Sequence, residues 1–109
     1  MQVGMHINDA DLGAALRSYV ERRLRFALGR YGGRVGQATV RIGASGSGET
    51  QCKISAEILP FGRLAVVESD HELFAAVDRA TGRIGRLFGR ELDRARHARV
   101  CRESVRTAA

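Results

Sequence analysis

Residues 50–73, "TQCKISAEILPFGRLAVVESDHEL", decide the fold. In "TQCKISAEI" the residues Cys52, Ile54, Ala56 and Ile58 alternate with polar neighbours, the period-two pattern of a strand with one buried face. "PFG" (60–62) predicts a tight connection, and "RLAVVES" (63–69) a second, more continuously apolar strand. Ser69-Asp70-His71-Glu72 then stands just before Leu73. Serine followed three residues later by glutamate predicts a capping box that opens a helix.

Working toward the N-terminus, "GASGSGE" (43–49) predicts a loop, and "QATVRIG" (37–43) another strand with Ala38, Val40 and Ile42 on one face. Further back, apolar positions 12, 16, 20, 24, 27, 28 and 31 form one stripe of an amphipathic helix from Leu12 to about Tyr31. "YGGRVG" (31–36) ends that helix, and "NDAD" (8–11) supplies its capping side chains, Asp9 and Asp11 foremost. "QVGMHI" (2–7) alternates through Val3, Met5 and Ile7 and predicts a first strand. The order is β-α-β-β-β-α: an α+β fold with a four-stranded sheet and two helices packed on one face. One domain over residues 1–99, followed by a short basic tail (100–109) that ends in a frayed "RESVRTAA", accounts for the 109 residues.

The last helix carries the unusual chemistry. In "DRATGRIGRLFGRELDRARHAR" (78–99), Arg79, Arg83, Arg86, Arg90 and Arg94 recur at steps of four, three, four and four. At about 100° per residue they line one stripe, while Leu73, Val77, Ala80, Ile84, Leu87, Phe88 and Ala95 form another. Gly82, Gly85 and Gly89 fall on a third face and together cost about 3 kcal/mol relative to alanine. Two explanations compete for them. Missing side chains either let a neighbouring helix lie close or let a phosphate backbone approach, and the side-by-side placement of two helices on one sheet favours the first.

Interspersed Asp78, Glu91 and Asp93 leave most of the arginine charge unneutralised, which points to a polyanion partner. Composition agrees: 18 basic residues, all arginine except Lys53, stand against 12 acidic ones, for a net charge of +6. Arginine's planar fork suits phosphate. The first helix adds Arg17, Arg22, Arg23, Arg25 and Arg30, so the outer surfaces of the two helices are expected to merge into one basic plate. Such a plate reads phosphate spacing rather than base identity. With no tryptophan, four Phe and two Tyr, stacking of single-stranded bases is poorly provided for, and structured RNA is the better match.

Strand order and last helix together resemble the ribosome hibernation promoting factor family, the ribosome-associated inhibitors, over about residues 1 to 96. The family's second helix opens "M-Y-x-A-I-D" and continues "K-L-E-R-Q-L-x-K". "LFAAVDRATGRIGRLFGRELDR" (73–94) keeps that opening as Leu73, Phe74, Ala76, Val77 and Asp78, and sets Arg83, Arg86, Arg90 and Arg94 at the basic positions. "ALRSYVERRL" (15–24) is similar to the family's first helix, with Arg22 and Arg23 basic. The resemblance implies a non-enzymatic protein that occupies the decoding channel of the small ribosomal subunit, excludes messenger and tRNA from 16S rRNA, and so inhibits translation. Arg83, Arg86, Arg90 and Arg94 would be first-rank rRNA contacts, with Arg22, Arg23, Arg30 and Arg79 behind them.

Gly82, Gly85 and Gly89 replace larger residues usual in the family, and Gly13 stands where a threonine cap is common. The family's long forms carry a C-terminal domain that pairs ribosomes, and some inhibitor-type members an acidic tail. In 109 residues the pairing domain is not expected, and the tail carries Arg99, Arg102 and Arg106 instead of an acidic run, so a short form is the closer comparison. A general double-stranded RNA-binding module, whose α-β-β-β-α order is contained in this one, is the alternative. A regulatory module docking on an acidic protein is a third.

Other chemistry finds little footing. Cys52 reads as a small core residue, and Cys52 and Cys101 as free thiols in a reducing, cytoplasmic setting. His97 and Cys101, four apart, make half a metal site without a second pair. Glu68, Asp70 and Glu72 surround a helix start, where capping explains them, and His6 and His71 lack an obvious partner. No apolar run approaches the ~18 residues that span a membrane. No catalytic constellation, cofactor, metal or small-molecule substrate is expected.

Overall fold

The computed structural model describes residues 1–7, 13–44, 46, 48–60 and 62–108, with the side chains described through Arg96. Four strands, β1 (Gln2–Ile7), β2 (Val35–Ala44), β3 (Thr50–Ile58) and β4 (Arg63–Asp70), form one sheet in the order β1-β2-β3-β4. β1 runs parallel to β2, and the other two pairings are antiparallel. Helix α1 (Gly13–Leu28) connects the parallel pair, and α2 (Leu73–Ala108) follows β4. The predicted α+β order is the observed one.

Alternation decides which face is buried. Ala38, Val40 and Ile42 of β2, Cys52, Ile54, Ala56 and Ile58 of β3, and Val66 of β4 point into the core. They meet Leu16, Val20, Leu24 and Leu28 of α1, one residue per helical turn, and Ala76, Val77, Ala80, Ile84 and Phe88 of α2. Burial of Cys52 raises its thiol pKa to about 12. Both helices lie on this one face, and Gln37, Arg41, Gln51, Lys53, Arg63, Ala65 and Val67 are exposed on the other.

Several boundaries differ from expectation. The α-helical winding of α1 stops at Leu28 and tightens into a 3₁₀ segment, Gly29–Arg34, kinked in its middle where Gly32 adopts φ 52°. Glycine takes that left-handed conformation without a Cβ penalty, as the "YGG" pattern requires. The expected N-terminal caps Asp9 and Asp11 lie outside the described residues. β4 continues through Asp70, so Ser69 is still in the strand and the capping box does not form. Glu72 caps α2 instead, its carboxylate accepting from Phe74 N (3.2 Å) and Ala75 N (2.7 Å), while Asp70 Oδ1 accepts from Glu72 N at 3.0 Å.

At its far end α2 continues through the segment expected to fray, reaching Ala108. Thirty-six residues make a helix of about 54 Å. That exceeds any strand here, and the molecule is accordingly 62 Å long but only 26 Å across. Ala95, assigned to the apolar stripe by its angle, is exposed.

Candidate nucleic-acid interface

The two helices lie against each other along a seam with three kinds of contact. At one end the Tyr19 hydroxyl donates to Asp78 Oδ1 at 2.6 Å, and Arg23 Nε sits 3.1 Å from the same oxygen. The Arg23 Nε–H is buried and not aimed along a hydrogen-bond direction, so this is an ion pair without an aligned hydrogen bond. The hydrogen bond to Asp78, then burial, then the Asp78 charge raise the Tyr19 pKa. Tyr19 also meets Phe74 edge to face at 4.8 Å.

In the middle, Gly85 lies against Ala27. A Cβ there would come 3.2 Å from the Ala27 carbonyl oxygen and 3.3 Å from its Cβ. At the other end Tyr31 stacks on Phe88 at 5.0 Å and donates its hydroxyl to the Gly85 carbonyl at 3.0 Å. A Cβ on Gly89 would lie 2.5 Å from that hydroxyl. Packing thus accounts for Gly85 and Gly89. Gly82 is different: a Cβ there would meet only Arg86 Nη1 of its own helix, at 3.4 Å. Close approach to α1 does not explain it.

The arginines divide into two groups. Arg79 reaches back to Asp70 (3.2 Å) and Arg83 to Glu68 (3.0 Å), both on β4. Arg79 also approaches the Ser69 carbonyl, and Arg83 that of Val67, each at 3.4 Å. Glu68 therefore acts as a counter-charge to α2 rather than as a cap, while Asp70 does both, holding Arg79 with Oδ2 and the Glu72 N–H at the helix start with Oδ1. Arg94 pairs with Glu91 at 3.3 Å. Arg86 and Arg90 are exposed and have no acidic partner among the described residues. The same holds for Arg22 on α1 and Arg30 in the 3₁₀ segment that follows it, whereas Arg25 is held by Glu21 at 2.9 Å. Expected as one uniform stripe, the α2 arginines are partly neutralised at Arg79, Arg83 and Arg94 and free at Arg86 and Arg90.

Between the helices, Arg23, Arg30 and Arg86 line a hollow with Phe26, Ala27, Tyr31, Thr81, Gly82 and Gly85. Phe26 is 74% exposed and belongs to neither the apolar nor the arginine stripe that the sequence marks. Its signal is its position off the 16-20-24-28 stripe, among arginines. His71, expected to be partnerless, sits 3.5 Å from Glu49. Side chains of His97 and Cys101 lie outside the described ones, and no group of three potential metal ligands occurs among the described residues. No described helix is long and apolar enough to cross a membrane.

This architecture defines a small α+β domain with a two-helix basic surface. No protein-family model matches the chain, and no curated protein matches it in sequence. Solved structures do match. The N-terminal domain of Protein Y from Thermus thermophilus superposes with a TM-score of 0.70 at 28% identity, covering 83% of this chain and 98% of that one. A ribosomal subunit interface protein from Coxiella burnetii gives 0.74 at 13% identity, covering 85% and 99%, and this second likeness concerns the fold. These structural neighbours are of the ribosome hibernation promoting factor family, the family the sequence resembles.

Proposed function

We propose that this chain is a non-enzymatic, cytoplasmic ribosome-binding protein that occupies the decoding channel of the small subunit and holds the ribosome idle. One observation carries the reading: Arg22 of α1, Arg30 of the 3₁₀ segment and Arg86 and Arg90 of α2 are exposed without an acidic partner among the described residues, and Arg30 and Arg86 line one hollow, in a domain whose fold matches a Protein Y N-terminal domain. The helical face would meet 16S rRNA through phosphates, which needs no base-specific donor pattern. Arg83, Arg94 and Arg79 contribute after exchanging a carboxylate for a phosphate, and Arg23 after doing so with Asp78. Inhibition is steric: protein in the channel leaves no room for messenger or tRNA, and no bond is made or broken.

The test is displacement. Messenger-programmed small subunits carrying labelled tRNA are titrated with the protein on filters. Loss of tRNA and messenger at stoichiometric protein is expected, and stable co-occupancy would contradict a decoding-channel site.

A further inference from the structure

The face of the sheet that carries no helix has its own chemistry. On β2, Gln37, Thr39 and Arg41 point away from the helices, as do Lys53 and Ser55 on β3 and Arg63 on β4, and these six line a polar hollow. Thr39 and Ser55 are direct cross-strand partners, and so are Arg41 and Lys53. Like charges set directly opposite each other destabilise a sheet. No carboxylate among the described residues pairs with Arg41, Lys53 or Arg63. Glu57, the cross-strand partner of Arg63, spends its Oε1 on the backbone N–H of Gln37 at 3.2 Å. His6 lies opposite Arg41 on β1 and is exposed.

We propose that this sheet face is a second phosphate-binding surface, whose occupant is the sugar-phosphate backbone of an RNA strand. The proposal rests on the reading that the chain binds RNA. Charge complementarity selects the ligand: three unpaired cations ring two hydroxyls and an amide, which supply donors to phosphate oxygens and to a ribose 2′-hydroxyl. No aromatic side chain lines the hollow, so bases are not stacked there. The unfavourable Arg41–Lys53 juxtaposition is relieved when a phosphate lies between them. With the helices facing the opposite way, the domain makes RNA contacts on both sides and acts as a wedge between two strands.

Two measurements test this. First, the protein is titrated with an octameric oligouridylate while its backbone amide resonances are followed. Shifts at Thr39, Arg41, Lys53 and Ser55, saturating with or without those on the helices, are expected. Shifts confined to α1 and α2 would overturn the second surface and leave the helical one standing; no shifts anywhere would likewise overturn the second surface, while the helical one is decided separately by binding to the small subunit. Second, Arg41→Gln/Lys53→Gln/Arg63→Gln is compared with wild type for small-subunit affinity across salt concentrations. Relief of like-charge repulsion should leave its melting temperature equal or higher. Its affinity should fall at least tenfold, with a log–log salt slope shallower by about 2, for three lost contacts at about 0.7 each. An unchanged slope would contradict the proposal.

Discussion

Tyr31 sits over Gly89 and bonds to Gly85: its hydroxyl donates to the Gly85 carbonyl at 3.0 Å and occupies the place where a Gly89 side chain would begin. One residue of the 3₁₀ segment after α1 thereby bears on glycine at two positions of α2 where helix propensity is poor. The tyrosine ring is itself fixed by stacking on the fully buried Phe88. Packing of the pair, rather than local propensity, keeps this part of α2 helical.

Gly82 and Gly89 should therefore respond oppositely to alanine. Gly82→Ala is expected to stabilise by up to about 1 kcal/mol, because its Cβ meets only a flexible guanidinium. Gly89→Ala should destabilise by about 1–3 kcal/mol through overpacking. Adding Tyr31→Phe removes the atom in the way, so the double variant should recover part of that loss. Urea midpoints of wild type, Gly89→Ala, Tyr31→Phe and the double variant measure this coupling, and strict additivity would contradict it.

Arginine substitutions should separate by their partners. Arg86→Gln and Arg90→Gln are each expected to weaken small-subunit binding about tenfold, equivalent to about 1.4 kcal/mol. Arg79→Gln and Arg83→Gln should cost less, because phosphate must first displace Asp70 or Glu68. The triple reversal of Arg83, Arg86 and Arg90 to glutamate should abolish binding with the fold retained, as all three are exposed. Binding curves and circular dichroism on the same preparations decide both points.

The strands were legible almost to the residue because alternation is local: β3 spans Thr50–Ile58, the nine residues whose pattern predicts it. The buried stripes of both helices were legible for the same reason. The cap of α2 was not, because choosing between Ser69 and Glu72 depends on how far β4 stays paired, and the Thr50–Asp70 pairing is set across the sheet. Nor was the neutralisation of Arg79 and Arg83. Their carboxylates lie on β4, 9 and 15 residues earlier in the chain, and meet them only once α2 lies along that strand. The basic sheet face is not legible either, because Arg41, Lys53 and Arg63 belong to three strands and become neighbours only in register.

Tyr19 predicts a pH dependence. Its pKa is raised in the folded state by the hydrogen bond to Asp78, so the protonated phenol is favoured by folding. The contribution is fully present below the ordinary tyrosine value of about 10 and is lost as pH rises through the higher folded value. Between pH 9 and 11 wild type should lose more stability than Tyr19→Phe, as read from denaturant midpoints. Parallel curves would contradict the coupling.

Cys52 should be inert in the native protein. Fully buried, with a thiol pKa of about 12, it offers almost no thiolate at pH 8. Iodoacetamide should modify it only at the rate of global opening and rapidly in denaturant. Fast native-state labelling of Cys52, located by peptide mass, would contradict its place in the core.

The most direct test of the account is co-sedimentation of the protein with isolated small ribosomal subunits at near-physiological salt, with free duplex RNA as competitor. The account predicts retention on the subunit despite excess duplex, since a shaped channel offers phosphates to the domain in an arrangement that a free duplex lacks. Release by the duplex would contradict it in favour of a general RNA binder, and absence of binding would contradict it in favour of an acidic protein partner.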